Sequence, residues 1–178
     1  GRRPSARGPM RLKSTIGLLP LLLVSACALV EPSYVHVDGI AAPSAEPQET
    51  YFLFSGRSGL SHEDRQFRRY AVHADEALQA AGYRKVATPD AADIVVGFNY
   101  GVEVERVGTL QRRTSHIELA AFDWDEVRDD GDRNAIWRTQ AYMDGSHGGF
   151  GRVVPMLVEA STPWLGKSTG GIVEVEFD

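Results

Sequence analysis

The stretch Ile94-Val95-Val96-Gly97-Phe98-Asn99-Tyr100-Gly101-Val102-Glu103-Val104 decides how the chain is read. Its first five residues are a dense β-branched and aromatic run. Tyr100, Val102 and Val104 continue it by strict alternation, the period of a strand with one wet face. Downstream, Ile117, Leu119 and Ala121 alternate with His116, Glu118 and Ala120, which predicts a second half-wet strand. The acidic segment Asp125 to Asn134, with Gly131 inside it, reads as a hairpin loop. Ala135 to Met143 is then its partner strand, with Ile136, Arg138, Gln140 and Tyr142 on one side and Trp137, Thr139, Ala141 and Met143 on the other.

Upstream, Tyr51-Phe52-Leu53-Phe54 before Ser55-Gly56 reads as a strand. A helix follows. Ser61 is positioned to cap it, with Asp64 three residues on, as in a capping box. Phe67, Tyr70, Ala71, Ala74, Ala77, Leu78 and Ala81 form its apolar stripe, and Arg65, Arg68, Arg69, Asp75, Glu76 and Gln79 are left for solvent. Gly82 is the natural stop. Thr88-Pro89-Asp90 is a turn and Gly145 to Gly151 a glycine-rich turn. Val153 to Ala160 reads as a second helix, with Pro155 tolerable only in its first turn. Gly170-Gly171 leads into a terminal strand, Ile172 to Phe177. The order strand, helix, three strands, helix, strand, with short turns between consecutive strands, predicts an α+β domain. We expect a largely antiparallel sheet of about four to five strands with two helices packed on one face.

The N-terminal segment carries a different message. Met10, Arg11, Leu12 and Lys13 form a basic start, and Ile16 to Val24 an apolar stretch interrupted by Gly17 and Pro20. That stretch is shorter than the ~20 apolar residues a membrane-spanning helix needs. It ends in Leu22-Leu23-Val24-Ser25-Ala26-Cys27, and Cys27 is the only cysteine. The run looks like a bacterial lipobox, with signal cleavage between Ala26 and Cys27 and lipidation of Cys27. An uncleaved anchor or a buried core helix is the plainer alternative. The thiolate is the side-chain nucleophile suited to accept a diacylglyceryl group, and two or more acyl chains make a stable anchor where one does not. Residues 1–9 read as an upstream extension, residues 1–26 as the signal peptide, 27–49 as the lipidated N-terminus and tether, and 50–178 as a single α+β domain. The tether is rich in Ala, Pro, Ser and Glu, with a short strand suggested at Tyr34 to Val37. Ala28, rather than Asp, follows Cys27, which in proteins of this kind implies the outer membrane, inner leaflet, facing the periplasm.

Cleavage removes five basic and no acidic residues, leaving 152 residues with 14 Lys+Arg against 24 Asp+Glu, a net charge of −10. Such a domain is no general nucleic-acid binder and does not dock on anionic headgroups by charge. The membrane is therefore expected as a partner only through the lipid.

Gly82-Tyr83-Arg84, then Pro89-Asp90-Ala91-Ala92-Asp93-Ile94-Val95-Val96, a strand ending in Asp123, and Ile136-Trp137-Arg138 resemble the bacterial lipoproteins of the domain of unknown function 4136 family, over roughly residues 50–165. Thr139 stands where that family commonly has a glycine, and the Asp125–Asn134 insert is long. The resemblance implies a cell-envelope lipoprotein and supplies no catalytic residues.

The remaining motifs are weighed against plainer readings. Gly166-Lys167-Ser168 looks like the end of a phosphate-binding loop, but Ser161 stands where the first glycine belongs, so a helix-exit turn is the better reading. Asp123, Asp125, Glu126, Asp129, Asp130 and Asp132 invite calcium, yet Arg128 and Trp137 fall on ligand positions of an EF-hand loop. A solvated hairpin tip fits better. His62 and His73 lie eleven residues apart on one helix face, about 16 Å from each other, and His116 with Glu118 lacks a third ligand. His36 and His147 read as surface histidines. Ser146, His147, Gly148 and Gly149 form the expected binding loop, since a glycine loop admits a partner to the backbone. Trp124, Trp137 and Trp164 read as core or half-buried. No catalytic residues, cofactor or metal are assigned. The expected function is a non-enzymatic, lipid-anchored envelope protein of binding or scaffolding type with an envelope protein partner. The alternative is an envelope hydrolase: a scaffold is expected to lack any pocket where His, Ser and carboxylate side chains converge and to show an open strand edge or apolar patch, and a cleft joining His116 or His147 to acidic groups would sink the scaffold reading.

Overall fold

The structure, a computed structural model, describes residues 32–43, 48–57, 63–128, 134–145 and 149–177. Among these described residues, seven strands form one sheet: β1 (Ser33–Ala41), β2 (Thr50–Ser55), β3 (Arg84–Lys85), β4 (Ile94–Val107), β5 (Leu110–Phe122), β6 (Trp137–Asp144) and β7 (Val173–Phe177). The helices are α1 (Arg65–Ala80), α2 (Trp124–Arg128) and α3 (Phe150–Ser161). The strand order is β3-β2-β4-β5-β6-β1-β7.

This corrects the expected four- to five-stranded, largely antiparallel sheet with two helices. The sheet is mixed. β2 pairs parallel with both β3 and β4, whereas β4-β5-β6-β1-β7 are antiparallel. The physical reason is the helix between β2 and β4. A strand that pairs with its neighbour after a helical crossover returns in the same direction. Two strands go beyond the expectation. Ser33–Ala41 falls inside the stretch taken as tether, where only Tyr34 to Val37 was suggested as strand, yet it lies between β6 and β7. Arg84–Lys85 has no apolar alternation to announce it. The third helix, α2, is a single exposed turn inside the segment read as hairpin loop.

Helices α1 and α3 pack on one face of the sheet. Phe67, Tyr70, Ala74, Ala77 and Leu78 of α1 and Val153, Val154, Leu157 and Val158 of α3 are buried against Ile94, Val96 and Phe98 of β4 and Ile117 and Leu119 of β5. Alternation selects these residues: the even positions of β4 and the odd positions of β5 point the same way because Phe98 stands opposite Leu119. An aromatic trio ties the layers together. Tyr70 meets Tyr100 edge-on at 5.0 Å and Phe150 at 5.5 Å, the geometry the ring quadrupole favours.

Polar clamps position the same elements. The Asp64 side chain, not Ser61, caps α1, accepting the N–H of Gln66 at 2.8 Å and of Phe67 at 3.0 Å; Ser61 lies outside the described residues. Asp75, expected in solvent, turns inward. It accepts the Tyr51 hydroxyl at 2.9 Å and pairs with Lys85 at 2.5 Å, joining α1 to β2 and β3. Burial, then the hydrogen bond to Asp75, pushes the Tyr51 phenol well above its ordinary value. α3 begins a turn earlier than expected, which leaves Pro155 inside the helix rather than in its first turn. Gly149, with φ of 108°, makes the entry.

Candidate functional site on the open sheet face

The sheet face away from α1 and α3 is a polar grid. Register aligns Gly101, His116, Tyr142, His36 and Glu174 in one row across five strands. A second row holds Asn99, Glu118, Gln140 and Asp38. Of these, Gly101, His116, Tyr142, Asn99, Glu118 and Gln140 line an open depression of about 900 Å³ beside Arg57 and Gln66, and His36, Glu174 and Asp38 continue the rows beyond it. The β5 alternation predicts this wet face; strand register supplies the partners of His116 on β6 and β1.

In the first row, the His36 and Tyr142 rings stack with centroids 4.9 Å apart, and His36 Nδ1 lies 3.4 Å from Glu174. The His116 ring lies against Gly101. A Cβ there would stand 3.0 Å from its Cε1 and 3.2 Å from its Nε2, so the missing side chain makes room for the ring. In the second row, Glu118 is held by Asn99 at 3.2 Å, Gln140 at 2.5 Å and Arg138 at 3.5 Å. It is a fixed acceptor rather than a mobile base. At the rim, Asp144 accepts the Thr114 hydroxyl at 2.7 Å and pairs with Arg112. Arg112 first, then Thr114, holds its carboxyl below the ordinary range.

The depression offers the His116 imidazole, the Tyr142 ring and the Asn99 and Gln140 amides to a polar ligand, with His36 stacked on Tyr142 beside it. It does not bring a nucleophile and base together: His116 and Glu118 share the face, but Glu118 spends its oxygens on the three donors above. Among the described residues, no three His, Cys, Asp or Glu side chains converge as metal ligands.

The other predicted site residues disperse. Ala26, Cys27, Ser146, His147, Gly148 and His62 lie outside the described residues, as do Asp129, Asp130 and Asp132. Gly149 is the one member of the expected binding loop in view; a Cβ there would meet nothing within 4 Å. His73 sits 3.8 Å from Glu76 on α1. The Asp123 side chain accepts the Asp125 N–H at 2.8 Å, and Asp125 pairs with Arg128 at 2.9 Å. Trp137 is buried, while Trp124 and Trp164 are half-buried. The Gly166-Lys167-Ser168 turn has a structural task. Ser168 Oγ accepts the Ala41 N–H at 2.9 Å, Thr169 Oγ1 accepts the Gly39 N–H at 3.0 Å, and the Thr169 N–H donates to Gly39 at 2.9 Å. The turn therefore extends the sheet along β1 where β7 does not reach. No helix among the described residues is long and apolar enough to cross a membrane.

No family model matches the chain, and no curated protein matches it. The resemblance to the domain of unknown function 4136 family is thus not confirmed by a family model. Among solved structures, the PelC dodecamer from Paraburkholderia phytofirmans is similar at 14% identity, covering 75% of this chain and 99% of that one, with a TM-score of 0.44. A substituted form of the same dodecamer is similar at 15% identity, over 73% and 96% of the two chains, with a TM-score of 0.44. A minor lipoprotein from Acinetobacter baumannii is similar at 13% identity, over 67% and 93%, with a TM-score of 0.38. At these identities and scores the likenesses assign neither a family nor an activity.

Proposed function

We propose that this chain is a bacterial cell-envelope lipoprotein, anchored by acyl chains on Cys27, whose domain works by binding or scaffolding rather than by catalysis. The observation that carries the reading is the lone cysteine directly after Leu22-Leu23-Val24-Ser25-Ala26. The fold sharpens one part of it. With β1 starting at Ser33, the link from the lipidated residue to the sheet is residues 28–32, not a tether reaching to residue 49. Fully extended, that link spans only about 20 Å. The domain is held close to its membrane, which suits a protein that meets partners at the bilayer surface. Ala28 in place of an aspartate supports the inner leaflet of the outer membrane, facing the periplasm. The partners of this reading are the membrane, through the lipid, and an envelope protein.

The hydrolase reading has one observation in its favour: His116 and Glu118 line the same depression. The three donors that hold Glu118 favour a binding surface instead. The test is fractionation of the whole chain in a bacterium with two membranes. The wild type is expected with the outer membrane and released by detergent, and Cys27→Ser in the soluble periplasm. Equal membrane association of both forms would refute the anchor.

A further inference from the structure

We propose that the outer edge of β7 is a docking site for an extended segment of a partner protein that alternates apolar residues with lysine or arginine. The inference deepens the binding role proposed above by naming the partner's chemistry. β7 is the last strand in the sheet and pairs only with β1 among the described residues. Its outer N–H and C=O groups are a template for one more strand.

Side chains then select the guest. On the helix-covered side, Val175 and Phe177 border a groove of about 490 Å³ that Ala160, Pro163 and Trp164 complete, with Glu159 and Glu176 at its margin. Trp164, Val175 and Phe177 are half-buried and packed against the core, Ala160 is buried, and Pro163 is exposed. An added strand would place every second side chain in this groove, and the groove accepts apolar ones. On the open face, Glu174 and Glu176 stand exposed along the edge, and the alternate side chains of an added strand would lie beside them. Cross-strand pairs of opposite charge attract and like charges repel, so those positions suit lysine or arginine.

The same chemistry disfavours a second copy pairing through β7 or through β4. Two β7 strands paired antiparallel about Val175 would set Glu174 against Glu176 twice. Val102-Glu103-Val104-Glu105 repeats the pattern on β4, where β2 pairing has ended at Phe98. Pairing β7 with that strand in the same facing would again set carboxylate against carboxylate. These two acidic strands thus repel one another, and the opposite edge of the sheet, β3, is basic but only two residues long against the five of β7, so the β7 edge suits a longer basic guest.

The test uses the full chain in non-ionic detergent micelles and two fluorescent, capped hexapeptides, one alternating valine with lysine and one valine with glutamate. Because the binding signal does not depend on acylation, its failure is separate from failure of the Cys27 reading. Wild type is expected to bind the valine–lysine peptide and not the valine–glutamate peptide, with slowed amide exchange along Val173–Phe177. Glu174→Lys/Glu176→Lys is expected to weaken the valine–lysine peptide about tenfold, the scale of two cross-strand charge pairs turned from attraction to repulsion. Glu103→Lys/Glu105→Lys changes the net charge equally and is expected to leave affinity within about twofold, the size of one weak surface charge effect. Should the first variant not fold, Glu174→Gln/Glu176→Gln replaces it, with an expected loss of about threefold. Equal loss in both lysine variants would show general attraction to an acidic protein and overturn the proposal. So would binding without protection at β7, no binding at all, or wild-type dimers formed through β7.

Discussion

Replacing Asp93 with alanine is expected to loosen the junction of β2 and β4 without disturbing the core. The Asp93 carboxylate accepts the N–H of Glu49 at 2.9 Å and of Thr50 at 2.8 Å, and its own N–H donates to Thr50 Oγ1 at 2.9 Å. These bonds bracket the first pair of the parallel ladder, Tyr51 opposite Ile94. A helix-capping carboxylate that accepts one or two N–H groups contributes roughly 0.5–2 kcal/mol. Asp93 is exposed, so solvent screens it, and the loss on truncation is about 1 kcal/mol. In a domain of this size that is about 2–4 °C in Tm. The pH dependence has a definite sign. The Glu49 N–H first, then that of Thr50, lowers the Asp93 pKa in the folded state. Its stabilisation is therefore fully present above the ordinary carboxylate pKa of about 3.9 and is lost as pH falls through the lower folded value. Urea unfolding followed by circular dichroism, from pH 7 to pH 2, measures both effects. The gap between wild type and Asp93→Ala is expected to be constant above about pH 5 and to shrink below pH 4. No gap at pH 7, or a gap that acid leaves unchanged, would refute the clamp.

Three further substitutions probe the packing. Gly39→Ala places a Cβ 2.7 Å from the Lys167 carbonyl oxygen, a backbone atom; thermal unfolding is expected to show a loss of about 1–3 kcal/mol as the turn moves off β1. Gly101→Ala meets only the movable His116 ring, so a stability change within about 0.5 kcal/mol is expected, together with a shifted His116 imidazole resonance by NMR. Leu157→Ala removes a fully buried side chain between α3 and the sheet and is expected to cost about 2–5 kcal/mol in denaturant unfolding.

The parts of the fold that were legible in the sequence are those where one face is buried and one is wet. α1 announced itself by its stripe from Phe67 to Leu78, and β5 by Ile117, Leu119 and Ala121 against His116 and Glu118. β1 was hidden because Pro32, Pro43 and Pro47 around it lend the stretch the composition of a tether, while its own alternation, Val35 and Val37 against His36 and Asp38, is short. The parallel pairing was hidden because direction depends on which strands are neighbours, a tertiary fact; α1 lying between two strands was the signal for it. The wet row was half-visible. Alternation placed His116 on a solvent face, but its alignment with Tyr142 and His36 is a matter of register, which only pairing decides. The Gly-Lys-Ser turn misled in the opposite direction, since its hydroxyls serve the backbone of β1 rather than a phosphate.

The central claim is that Cys27 carries the lipid that places this domain in the envelope. Metabolic labelling with a clickable fatty-acid analogue, in a bacterial host expressing the full chain, measures it directly. The account predicts label on the wild type and none on Cys27→Ser. Equal label on both, or none on a wild-type chain that is expressed and exported, would contradict it.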